Sequence, residues 1–197
     1  MRRMIRWVGL VATVFLLKGT SIMAADTDQV AVVETKFGKM VIEFYGTDAP
    51  KTVANFIKLA KDGFYNGTTF HRVIPGFMIQ GGDPLSKEDP RGPRVGTGGP
   101  GYTVPAEIKR EHKRGTVATA RLGDDDNPKR DSSGSQFFIN VNDNTSLNGG
   151  YTVFGNVIVG MDVADKIVSL SRDGRNNPNE KVDMKVTITT RAEALKK

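Results

Sequence analysis

The spacing of apolar and polar residues changes several times along this 197-residue chain, and each change marks an element. Gln29 to Thr35 and Lys39 to Tyr45 are rich in β-branched residues and flank Lys36-Phe37-Gly38, the pattern of a hairpin with a short glycine-bearing turn. Val53, Phe56, Ile57 and Ala60 then recur at i, i+3, i+4 and i+7 behind Asp48 and Pro50, which predicts a helix ended by Gly63. Thr69 to Gly81 is strand-like but broken at Pro75-Gly76. Gly82 to Pro105 is so dense in glycine and proline that only loop is expected, and loops of that length in a compact domain often carry function. Short strands follow at Thr116 to Arg121, Gln136 to Val141 and Thr152 to Val159, then a helix over Met161 to Leu170 with Val163, Ile167 and Leu170 on one face. The closing segment alternates, with Val182, Met184, Val186 and Ile188 on one side and Asp183, Lys185, Thr187 and Thr189 on the other.

Many short strands, two helices and no repeated strand-helix alternation argue against a doubly wound parallel sheet and for a mainly β, antiparallel architecture. The pattern alone leaves barrel and sandwich open. A hydrophobic content of 38% and 22 glycines suit one domain with a core and many tight turns.

The N-terminus stands apart. Arg2, Arg3 and Arg6 precede the apolar stretch Val8 to Leu17, and Ala24 and Ala25 precede the first acidic residue, Asp26. Residues 1–25 therefore read as a secretory signal peptide and 26–197 as the mature domain, since so short an apolar stretch cannot span a bilayer that needs about 20 helical residues. Removing residues 1–25 leaves 24 basic and 22 acidic residues, so the net charge falls from +6 to +2. A nearly neutral domain gives no reason to expect nucleic acid or an anionic membrane as partner. The one basic run, Lys109-Arg110-Glu111-His112-Lys113-Arg114, lacks interleaved aromatics and is read as a solvated turn. The chain has no cysteine, so in an oxidising compartment its stability would rest on the core alone.

Several candidate chemistries fall away. Gly96-Thr97-Gly98-Gly99-Pro100-Gly101 loosely matches a dinucleotide fingerprint but has no strand before it and no helix after it. Asp124-Asp125-Asp126-Asn127 lacks the downstream glutamate of a calcium loop, and His71 and His112 with no cysteine leave a zinc site almost no ligands. Ser132, Ser133 and Ser135 have no histidine-acid partnership nearby, so hydrolysis is not expected. No metal or cofactor is expected.

What remains is the run Phe70-His71-Arg72-Val73-Ile74-Pro75-Gly76-Phe77-Met78-Ile79-Gln80-Gly81-Gly82-Asp83, followed some fifty residues later by Gly134-Ser135-Gln136-Phe137-Phe138-Ile139. One permanent cation, a few amide and imidazole groups and several large apolar side chains suit a pocket for an uncharged apolar group. These two segments resemble the signatures of the cyclophilins, and the chain from about Val30 to Arg191 resembles a bacterial exported cyclophilin-type peptidyl-prolyl cis/trans isomerase. That resemblance implies a closed eight-stranded antiparallel β-barrel capped by two α-helices, with the substrate in a groove on the outer wall.

It also implies roles for residues. Arg72 corresponds to the catalytic arginine. Phe77, Met78, Phe138 and Leu147 correspond to the cup for the substrate proline ring, with Phe137, next to Phe138 on a strand, turned into the core. Gln80 and Gln136 correspond to the glutamines that hold the arginine and the substrate backbone, and Ala120 and Arg121 to the strand edge that pairs with the peptide before its proline. Main-chain pairing reads no side chains, so arginine at 121, where eukaryotic members commonly have asparagine, is expected to matter little. Gly96 borders the groove, and His71 and Tyr151 complete its rim, many members having histidine at the latter position. Ser146 stands where many eukaryotic members carry a tryptophan that hydrogen-bonds cyclosporin, so weak cyclosporin binding is expected. The implied partners are unfolded or extended proline-containing chains in the periplasm of a Gram-negative bacterium, bound by a monomer. A proline-binding chaperone in which catalysis is incidental is the alternative reading.

Overall fold

The computed structural model describes residues 28–196, so the signal-peptide reading of residues 1–25 lies outside the described residues. Eight strands form one antiparallel sheet: β1 (Gln29–Thr35), β2 (Gly38–Phe44), β3 (Phe70–Ile74), β4 (Met78–Gly81), β5 (Thr116–Thr119), β6 (Phe137–Asn140), β7 (Val153–Val159) and β8 (Lys185–Thr190). Their spatial order is β3-β4-β6-β5-β7-β2-β1-β8. The hairpin β1–β2 is the predicted one, in register from Val30 opposite Glu43 to Thr35 opposite Gly38.

The sheet curls but is not sealed by a ladder. Its end strands, β3 and β8, are not paired along their lengths, because β8 is already in register with β1 from Lys185 to Thr190. Among the described residues they meet around their first residues: Gly67 N–H donates to Met184 O at 2.9 Å, Thr69 bridges Asp183, Phe70 N–H donates to Val182 O at 2.9 Å and Met184 N–H to Thr68 O at 2.9 Å. The expected closed barrel is thus an open, curled sheet stitched at one corner.

Helix α1 (Pro50–Lys61) starts with proline at its first turn, where a missing N–H costs nothing. Its exposed donors are met from far along the chain, since the Glu107 carboxylate accepts from Lys51 N–H at 3.1 Å, Thr52 N–H at 2.9 Å and Thr52 Oγ1 at 2.9 Å. The apolar stripe Val53, Phe56, Ile57 and Ala60 is buried as the periodicity requires. Phe56 centres the interior, with ring centroids 4.8 Å from Tyr65, 5.2 Å from Phe154, 5.5 Å from Phe137 and 5.8 Å from Phe44. Helix α2 (Met161–Val168) buries Val163, Ala164, Ile167 and Val168. A short α3 (Arg191–Ala194), capped by Thr190 Oγ1 accepting from Glu193 N–H at 3.2 Å, was not expected from the sequence.

Strand alternation divides the sheet into two apolar layers. Val33, Met40, Ile42, Val73, Ile79, Val117, Phe137, Ile139 and Phe154 join the helices in the inner core. Met78, Ala118, Ala120, Phe138 and Val153 form a second cluster, packed with Ile74, Phe77, Leu147 and Tyr151. Phe137 and Phe138 part company here as neighbours on a strand must, and the second cluster is where the candidate site lies.

Candidate functional site

Register alone lines up the site. Arg72 on β3 stands opposite Gln80 on β4, Gln80 opposite Phe138 on β6, Phe138 opposite Ala118 on β5, and Ala118 opposite Val153 on β7. Side chains directly across a sheet share a face, so these five make one row on the outer wall. Met78, two residues before Gln80, lies on the same face. Over this row Arg72, Phe77, Met78, Gln80, Ala120, Arg121, Phe138, Leu147 and Tyr151 enclose a hollow of about 140 Å³. Its floor is apolar and dry, with Met78 1% and Phe138 5% exposed. Tyr151 closes one side, its ring edge-on to Phe138 at 5.7 Å and 86°.

A hydrogen-bonded relay fixes the charged side. Arg72 Nη1 donates to Gln80 Oε1 at 3.1 Å, Gln80 Nε2 to Gln136 Oε1 at 3.0 Å, and Gln136 Nε2 to the carbonyls of Gly96 (3.0 Å) and Gly98 (2.8 Å). The guanidinium can only donate, so each amide must point its oxygen toward Arg72 and its nitrogen away, giving the chain one polarity. It ends at Asp83, which is fully buried and accepts from the N–H groups of Gly96 (2.5 Å), Gly98 (3.0 Å) and Leu85 (2.7 Å). Gly98 must be glycine, since a Cβ there would collide with the Asp83 carboxylate. Asp83 is the member of this network that sequence reasoning passed over, although it closes the first signature run.

A family profile for cyclophilin type peptidyl-prolyl cis-trans isomerase/CLD matches residues 30–190. The chain belongs to this family. It is 48% identical over 126 residues to a peptidyl-prolyl cis-trans isomerase of Synechococcus elongatus, covering 64% of this chain and 77% of that one. It is 46% identical over 129 residues to peptidyl-prolyl cis-trans isomerase B of Bacillus subtilis, covering 64% and 80%. Among solved structures, a cyclophilin type peptidyl-prolyl cis-trans isomerase of Cryptosporidium parvum superposes with a TM-score of 0.73 at 30% identity, over 83% of this chain and 98% of that one. A crystal of that protein in the presence of the dipeptide Ala-Pro gives 0.72 at 30% identity, over 82% and 99%.

Three of the sequence-predicted site residues sit outside the hollow of this cyclophilin. His71, at the bulge between Phe70 and Arg72, is 5% exposed and lines an adjoining hollow with Arg175 and Asn177 that shares Arg72 and Gln80 with the first. Gly96 and Gln136 line an adjoining hollow of about 680 Å³, joined to the first through Gln80, Ala120 and Arg121. The expected edge is also narrower than predicted. Ala120 N–H donates to Gln136 O at 2.9 Å and its carbonyl accepts from Ser133 N–H at 2.9 Å, so its main chain is occupied. Among the described residues only Arg121, of the two, keeps a free main-chain N–H and C=O. The Arg121 side chain is no bystander either, being 6% exposed with its guanidinium 4.5 Å from the Tyr151 ring centre.

His112 departs furthest from expectation. Its neighbours in the basic run are exposed, but the imidazole is fully buried and stacks on Phe138 beneath the hollow at 5.8 Å and 11°. Nδ1 lies 3.2 Å from Asn140 Nδ2, a donor, so it accepts and the neutral ring carries its proton on Nε2. Burial pushes the pKa of His112 below 6.5, and burial does the same to His71 against the opposing pull of Asp83. Below their ordinary value the unfolded chain binds protons that the fold excludes, so stability is fully present above pH 6.5 and is lost as pH falls through it. Urea unfolding at about pH 7.5 and about pH 5.5, a window that leaves carboxylates ionised, is expected to show lower stability at the acid point. Equal stability at both would contradict the buried neutral rings.

Proposed function

We propose that the protein accelerates rotation about Xaa-Pro bonds by seating the proline ring on Phe77, Met78, Phe138 and Leu147 and directing the Arg72 guanidinium at the imide nitrogen. A quarter turn of the peptide bond breaks amide resonance at a cost of about 18–20 kcal/mol. The two planar states of Xaa-Pro differ by only about 0.5–1 kcal/mol, so favouring the twisted state is sufficient and no bond is broken. At the twist the nitrogen turns pyramidal and regains a lone pair, which accepts a hydrogen bond the flat imide cannot. A millionfold gain requires about 8 kcal/mol, more than one hydrogen bond supplies, so the water-poor floor and positioning of the peptide backbone by Gln80, Gln136 and the Arg121 main chain contribute as well. The observation that carries this reading is the placement of a relay-held guanidinium on the wall of an apolar hollow.

The relative crystallised in the presence of Ala-Pro supports a proline-containing ligand. The arginine-led apolar N-terminus supports export to a Gram-negative periplasm, where newly translocated chains await slow proline isomerisation, and the mass of the N-terminus of protein recovered from cells tests it. A protease-coupled assay on a proline tetrapeptide is expected to show acceleration that a chelator leaves unchanged. Ser146, exposed beside Leu147, offers no indole donor, so cyclosporin is expected to inhibit only weakly in the same assay. Inhibition at nanomolar drug would contradict the role given to Ser146.

A further inference from the structure

The rim of the hollow at Leu147 to Tyr151 is a turn held at its ends, where Leu147 and Tyr151 pack on the second cluster and Asn148 Oδ1 accepts from His112 N–H at 2.8 Å, but not packed at its middle. Asn148 and Gly149 are exposed, Gly149 takes φ +73°, and a Cβ there would touch nothing within 4 Å. Yet both of its central carbonyls are gripped. Arg121 Nε donates to Gly150 O at 2.7 Å, and Arg130 Nη1 donates to Gly149 O at 2.7 Å.

The two arginines meet on one carboxylate. Asp124 Oδ1 lies 2.7 Å from Arg121 Nη1 and Oδ2 lies 2.7 Å from Arg130 Nη2, so each oxygen anchors one guanidinium and each guanidinium one carbonyl. Arg121 also donates to Leu122 O at 2.8 Å. The loop is shaped for this arrangement. Arg130 adopts φ +58°, a conformation unfavourable for any residue with a Cβ, and is held there by Arg130 N–H donating to Asn127 O at 2.9 Å, while Asn127 brackets Asp131 with bonds at 2.6 Å and 3.2 Å. The two guanidiniums hold the Asp124 carboxyl below the usual carboxylate range, which is consistent with a paired charge despite its exposure. An isolated surface pair would count for little, but here one partner is almost fully buried and three charges share a network.

We propose that Asp124 and Arg130 are positioning residues for the proline hollow: Arg130 on Gly149 O and Arg121, anchored by Asp124, on Gly150 O together clasp the Gly149-Gly150 turn and hold the Tyr151 ring as the rim against which the substrate seats. This rests on the isomerase reading of the hollow. The clasp sets how the site closes on a peptide and leaves the twisting step to Arg72, so its loss is a loss of affinity.

Asp124→Asn keeps the shape and removes the charge, Arg130→Gln removes the second arm, and Asp124→Glu restores the carboxylate. In the coupled assay D124N and R130Q are each expected to raise KM about threefold to fivefold with kcat within about twofold, and the double variant is expected to be no worse than either alone. D124E is expected to return KM to within about twofold of wild type. Ring-proton shifts of Tyr151, read by NMR in the free protein, are expected to move in D124N and to recover in D124E. Unchanged KM and unchanged Tyr151 shifts in D124N overturn the clasp, as does a D124E variant as impaired as D124N. If wild type fails to accelerate isomerisation, the reading of the hollow falls instead, and the Tyr151 shifts alone decide the clasp.

Discussion

Arg72→Ala is expected to lower kcat/KM on a proline tetrapeptide about 100-fold or more while leaving the fold within about 1 kcal/mol of wild type. The two halves of that expectation have separate physical origins. Arg72 is exposed and its one side-chain hydrogen bond goes to Gln80, so truncation leaves no buried charge behind and no cavity in the core. Removing a donor held ready for charge that develops only at the twist typically costs two to three orders of magnitude, about 2.7–4 kcal/mol. Lysine at the same place keeps the charge but loses the planar fork, and the Gln80 relay is built for a donor in that plane. Arg72→Lys is therefore expected to recover only part of the loss.

Asp83→Ala is expected to destabilise the fold by about 2–3 kcal/mol, because it strips three backbone donors on partly exposed residues of an acceptor that is itself fully buried. Urea unfolding followed by circular dichroism measures it. The consequence reaches the catalytic side in a defined order. Without the carboxylate, Gly96 and Gly98 no longer present their carbonyls to Gln136, Gln136 no longer orients Gln80, and Arg72 loses its fixed direction. The folded fraction of the variant is expected to lose about tenfold in kcat as the relay slackens. Asp83→Asn, which must point an N–H₂ at one of those donors, is expected to be destabilised in the same direction by a smaller amount and serves if the alanine variant does not fold. Full stability and full turnover in Asp83→Asn would detach the buried carboxylate from the site.

What the chain revealed in advance was whatever depends on residues close in sequence. The 3.6-residue stripe of α1, the alternation from Val182 to Ile188 and the opposed directions of Phe137 and Phe138 are local consequences of backbone geometry, and each is found where the pattern puts it. What it concealed depends on partners far away. The cap of α1 comes from Glu107, fifty-five residues past Thr52. His112 looked solvated amid Lys and Arg, but strand β6 brings Asn140 and Phe138 over it and makes it buried packing beneath the hollow. Arg121 was read for its main chain alone, and only the fold shows Gly150, Asp124 and Tyr151 converging on its side chain. Nor could the sequence announce that the sheet's ends would meet at a single bridge, since that follows from the register of β8 on β1 rather than from any property of β8 itself.

Interconversion on the protein is the quantity nearest to the proposed chemistry. Exchange NMR of an Ala-Pro peptide at saturating protein measures the cis/trans rate of the bound peptide separately from its affinity. The account predicts that wild type interconverts bound peptide orders of magnitude faster than free peptide and that Arg72→Ala binds with affinity within about threefold but interconverts at least about 100-fold more slowly. Bound-state interconversion in Arg72→Ala as fast as in wild type, or a wild type that binds without accelerating exchange, would contradict it.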